Sequence, residues 1–177
     1  VFGPLEFDLY LHRAHQGGLE IELTDPPGIL VPAHVANLRE TEQIFLFARP
    51  IALLARGAHV LGRLAPAEIA LLLLSACRIL DPSFGAGLAD EDFLQAQSKR
   101  VQKALSRRAR RALEESAAPF MTGPRLDWEQ WAFEHRKIAS RVAALLADEL
   151  PSSIALVRRM EGDLAGLRGA ALAQGIN

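Results

Sequence analysis

The sequence predicts an α+β fold, mainly helical, in which a small N-terminal antiparallel sheet packs on a helical body. Three observations carry this. Apolar and polar residues alternate in LEFDLYLH (residues 5–12) and LEIEL (19–23), the period of a half-buried strand. GILVP (28–32) is a short apolar run between turn residues. From His34 onward the apolar residues recur at helical spacing instead.

In chain order, Leu5, Phe7, Leu9 and Leu11 define the inner face of the first strand, and Leu19, Ile21 and Leu23 that of the second. The stretches AHQGG and TDPPG supply the turns between the strands. Val35, Leu38, Ile44, Phe45 and Phe47 mark the first helical stretch, with Glu40 and Glu42 facing out and Pro50 in its path. Pro66 suits the first turn of the next helix, which ends near DPSFGAG (81–87). Residues 89–117 read as one long polar helix. Asp127 is the N-cap of a helix starting at Trp128, and Pro151 opens a further one. Gly162, Gly166 and Gly169 weaken the tail, read as a last, fraying helix.

The 177 residues suit a single domain, 1–33 sheet and 34–177 helical body, excised from a longer protein since no initiator Met is present. A formal net charge of −1 gives no global attraction to nucleic acid or membrane. The apolar run IALLLLSAC is too short to span a bilayer, so no membrane span is expected. The one cysteine, Cys77, lies in that run and reads as a buried thiol. With no secretion signal in VFGPLEFDL, the expected location is cytoplasmic.

Catalytic motifs are absent. No serine-nucleophile elbow or phosphate loop occurs. Among His12, His15, His34, His59 and His135, no two stand four apart on a helix, the spacing that puts two imidazoles on one metal. Trp128 and Trp131 share a helix face and read as packing residues. Lys99, Arg100, Lys103, Arg107, Arg108, Arg110 and Arg111 form a basic run that can meet phosphates. Val101, Leu105, Ala109 and Leu113 mark its buried stripe, and no aromatic residue is interleaved for base stacking. A solvated helix face is the expectation there, with Leu105 and Leu113 buried and Arg100, Arg107 and Arg111 exposed.

The order of elements resembles the HtpX-type zinc metallopeptidases, a zincin family. The residues that carry the resemblance are RETEQIFLFARPIALLARGAH after the sheet and WAFEHRKIASRVAALLADELPSSIALVRRM far downstream, within residues 18–160. The first tracks the family's "H-E-L-x-H" helix and its closing "G-H"; Arg141, Leu145 and Leu146 track its later "D-R-x-x-x-x-L" helix. The chain is most similar to degenerate versions in large bacterial tetratricopeptide-repeat proteins.

In that register the zinc-binding H-E-x-x-H falls on Arg49-Pro50-Ile51-Ala52-Leu53, the third ligand on Arg136, and the aspartate four residues later on Ser140. Zinc needs two neutral imidazoles one turn apart and a carboxylate beside the first. A guanidinium has no lone pair to give, leucine no ligand atom, and proline no base. Glu134 is two residues from the third position, a rotation of roughly 200° to the far face of the helix.

The resemblance therefore implies a catalytically inactive metallopeptidase-like domain with no catalytic residue, no metal and no cofactor. It would act as a structural or interaction module whose partner is a protein or another domain of the same chain. The alternatives are a helical nucleic-acid-binding domain using residues 99–111, and an enzyme that reuses the old cleft. The register also implies that Arg49 and Arg136 face each other where two helices cross. Each guanidinium should reach solvent or a carboxylate such as Glu42, Glu134 or Asp127, and Leu53 should be buried against the helix of 128–147.

Overall fold

A computed structural model describes residues 3–13 and 18–160. The fold is α+β and mainly helical: among the described residues, three short strands are followed by six helices. The strands are β1 (Asp8–His12), β2 (Glu20–Glu22) and β3 (Gly28–Pro32). The helices are α1 (Glu40–Ala55), α2 (Pro66–Cys77), α3 (Glu91–Ala104), α4 (Arg107–Thr122), α5 (Trp128–Ala147) and α6 (Leu150–Met160), with 3-10 turns at Ala33–Asn37 and His59–Gly62. The expected tail helix, His15 and the turn residues 14–17 lie outside the described residues.

By internal contacts the chain divides into two compact units, Val1–Arg63 with Ala132–Asn177, and Leu64–Trp131. That division is not visible in the hydrophobic pattern.

In the first unit the sheet is mixed rather than antiparallel. β3 is central, with β1 parallel to it on one side and β2 antiparallel on the other. β3 is covered on both faces, as its unbroken apolar sequence requires. β1 is an edge strand: Leu9 and Leu11 are 54% and 68% exposed, so the alternation through Leu5 and Phe7 does not continue as an inner face. Leu23, beyond the end of β2, is also exposed. Gly28 lets the Tyr10 ring lie over the strand, since a Cβ there would stand 2.9 Å from that ring.

The core of this unit joins Ile29 and Val31 of β3, Val35 of the 3-10 turn, Phe45, Leu46 and Ala48 of α1, Ala143 and Ala147 of α5, and Leu156 of α6. The buried face of α5 in this unit is built from Ala132, Ala139, Ala143 and Ala147, spacings that keep them on one side of a helix.

α1 runs unbroken through Pro50, which is buried. The proline cannot donate to the carbonyl of Leu46, so one helical hydrogen bond is missing there. At the start of α1 the Arg39 N–H donates to the Glu42 carboxylate at 3.2 Å. Glu42 does not face out: its side chain is 14% exposed and bridges Arg39 and Arg159.

The second unit packs α3 and α4 on α2. The expected 89–117 helix is two helices, because Leu105 leaves the helix and Ser106 caps α4 by accepting from the Ala109 N–H. α4 continues through Pro119 to Thr122. The buried residues of the second unit include Ile69 and Cys77 of α2, Leu94 of α3 and Ala117 of α4. Burial pushes the Cys77 thiol pKa up. Leu105 and Leu113 are only half-buried, while Arg100, Arg107 and Arg111 are exposed as expected. α2 stops at Cys77, short of DPSFGAG.

Arg78 follows α2 with its side chain 4% exposed. Its Nη1 and Nη2 donate to the two Glu91 oxygens at 2.6 and 2.9 Å, and its Nε donates to the Phe84 carbonyl at 2.8 Å. The hydrogen bonds from Arg78 hold the Glu91 carboxyl below its usual range. A carboxylate depressed in the folded state contributes stability above its unfolded pKa, about 4.3, and that contribution is lost as pH falls through the lower folded value. Glu91→Gln is therefore expected to lower the melting temperature at pH 7, with the gap to wild type closing towards pH 3. Parallel melting-temperature curves across that range would show that the ion pair does not set the acid response.

Candidate functional site

The site is built in the first unit from α1 and α5. Thr41 Oγ1 donates to Glu149 at 3.0 Å, Arg49 Nε to Ser140 Oγ at 3.1 Å, and Arg56 Nε to His135 Nδ1 at 3.3 Å. As the α1 number rises the partner's number falls, so the two helices run side by side in opposite directions. Leu53 stands four residues after Arg49 and three after Pro50, so it neighbours both on the surface of α1.

A cavity of about 200 Å³ lies there. Arg49, Pro50 and Leu53 of α1 line it, with Arg136 of α5 across from them. Four of the five positions named from the sequence thus meet at one cavity, and the fifth, Ser140, holds Arg49. Leu53 is buried. The remaining walls come from the sheet side and from α6: Leu19, Glu20 and Ile21, Leu61 and Gly62, and Met160. Sequence reasoning missed these. A Cβ at Gly62 would press on Ile21 at 3.0 Å, so glycine there lets the 3-10 turn lie against β2.

The electrostatics of the cavity are cationic. Arg49 and Arg136 are both half-buried. A terminal nitrogen of Arg49 also lies 3.8 Å from the Met160 sulfur. Among the described residues Arg136 makes no hydrogen bond or ion pair. The nominated carboxylates serve other groups: Glu42 binds Arg39 and Arg159, Glu134 binds Lys137, and Asp127 caps α5 by accepting from the Gln130 N–H. Among the described residues one carboxylate, Glu20, lines the cavity; it is bound to Arg63 at 3.2 Å, and Arg63 also binds Glu22.

Of the other residues singled out, Arg141 and Leu145 lie on the exposed side of α5, Leu145 at 79% exposure; Leu146 is also exposed. His34 is exposed, whereas His12, His59 and His135 are half-buried. Burial lowers the pKa of His59; burial first and then the Arg56 cation lower that of His135. Among the described residues no three of His, Cys, Asp and Glu form a group that could hold a metal ion.

In the second unit Lys99, Arg100 and Lys103 stand on α3 and Arg107, Arg108, Arg110 and Arg111 on α4, all exposed. The break at Ser106 means that they do not form one continuous helix face. Arg110 and Arg111 pair with Glu114 and Glu115 one turn on. Trp128 and Trp131 pack edge-to-face at 5.9 Å, and Phe120 packs on Trp128.

No described helix is long and apolar enough to cross a membrane. Comparison with protein-family models, curated proteins and solved structures finds no match.

Proposed function

We propose that this chain is a catalytically inactive metallopeptidase-like domain that serves as a structural or protein-interaction module. The observation that supports the reading is the meeting of Arg49, Pro50, Leu53 and Arg136 at one cavity, with Ser140 bonded to Arg49. These positions are up to 91 residues apart in sequence, and the resemblance is what names them together. The side chains present offer a cation, a ring, a hydrocarbon and a second cation where a zinc peptidase needs two imidazoles, a base and a carboxylate.

Restoring the missing chemistry tests this. The variant Arg49→His/Pro50→Glu/Leu53→His/Arg136→Glu is expected to gain about one zinc per chain, because H-E-x-x-H on a helix with a third ligand is a complete site. Wild type is expected to carry none and to cleave no unfolded protein substrate. Elemental analysis of both proteins, with circular dichroism to confirm helicity, decides it. A folded variant that binds no zinc removes the register, and stoichiometric zinc in wild type removes the inactivity.

A further inference from the structure

The cavity has its own chemistry, independent of any ancestry. Two guanidiniums stand at it, one of them without a hydrogen bond or ion pair among the described residues. Among the described residues the lining carries two guanidiniums, Arg49 and Arg136, and one carboxylate, Glu20. Leaving a half-buried guanidinium unpaired is unfavourable, and an anion relieves it. Apart from Glu20 the remaining lining side chains are apolar: Ile21, Leu46, Leu53, Leu61 and Met160 among others. An inorganic anion would leave those walls uncovered. A dry apolar cavity of about 150 Å³ holds benzene, so about 200 Å³ suits a carboxylate joined to a body of five or six carbons.

We propose that this cavity binds a small monocarboxylate with a branched or aromatic apolar body, the carboxylate on Arg136 and the body against Ile21, Leu53 and Met160. The planar fork of arginine matches a carboxylate through two parallel N–H donors, whereas a neutral amide or alcohol offers no charge to that fork. The same chemistry is carried by a free acid and by the C-terminal residue of a peptide ending in leucine. The proposal does not depend on the metallopeptidase reading.

The test is titration calorimetry of the whole chain with 4-methylpentanoate, with N-acetyl-Ala-Leu, and with the amide of each, while NMR follows the Met160 methyl. At least one acid is expected to bind with Kd below about 1 mM, a strength within reach of a ligand of this size, and to shift the Met160 methyl; the amides should not. Arg136→Gln should weaken binding at least about 10-fold, the worth of one charge-assisted hydrogen bond, while Arg108→Gln, an exposed position on α4 of the second unit that does not line the cavity, leaves it unchanged.

Binding of the peptide alone assigns the site to protein C-termini, and binding of the free acid alone to a metabolite. No binding of either acid by folded protein, equal binding of the amides, or full binding by folded Arg136→Gln each overturns the proposal. None of these results alters the zinc-restoration outcome, so the two readings fail separately.

Discussion

Phe45→Ala is expected to destabilise the protein by about 3–5 kcal/mol, the range for emptying a fully buried aromatic site. Phe45 is 0% exposed and stands where α1 meets β3, α5 and α6. Most of the buried cluster around it is short or β-branched, Ile29, Val31, Val35, Ala48, Ala143 and Ala147, with Leu46 and Leu156 as the longer members. Alanines cannot lengthen into the space a phenyl ring leaves, so collapse around the cavity is limited and the cost falls at the upper end. For a chain of this size that is a fall in melting temperature of about 6–20 °C. Phe45→Leu, which keeps most of the volume, should lose much less. Urea unfolding at pH 7 measures the difference directly. A cost under about 1 kcal/mol for Phe45→Ala would mean that this core is not packed as described.

The counterpart in the second unit is Leu94→Ala, expected to cost about 2–5 kcal/mol. Leu94 is 0% exposed and lies on α3, a helix that is otherwise largely polar and that packs on α2. It is the buried anchor of α3, one turn into the helix that Asp90 caps by accepting from the Phe93 N–H at 2.7 Å. Losing that anchor should release α3 more than any other element. Leu94→Met should stay within about 1.5 kcal/mol, because methionine refills the volume. Hydrogen exchange separates the two variants: Leu94→Ala should raise exchange in α2 and α3, and Phe45→Ala in α1 and α6. Exchange that rises equally everywhere in both would show that the two contact-defined units unfold as one.

Much of the fold was legible because its signals are local. Pro66 and Asp127 announce helix starts through their own backbone chemistry, and the change from period two to helical spacing near His34 divides sheet from helix. Ser106 carried a signal that the basic run concealed: a serine ahead of an amphipathic stretch is an N-cap, and it breaks the expected long helix in two. The buried face of α5 was hard to read for a different reason. It is made of alanines, while the bulkier Leu145 points to solvent, so a search for large apolar residues finds the wrong side.

The sequence by itself determined the fold class and the order of sheet and helices, and that Arg49, Pro50, Leu53 and Arg136 offer neither a metal ligand nor a general base, since residue type alone says what can ligate or accept a proton. Only the tertiary structure decided that β1 lies parallel to β3, that the chain divides into two units, and that Leu19, Ile21, Leu61 and Met160 close a cavity around the two arginines. Periodicity is a property of one segment, whereas strand partners and cavity walls are set by which distant segments pack together, and that is determined by burial over the whole chain.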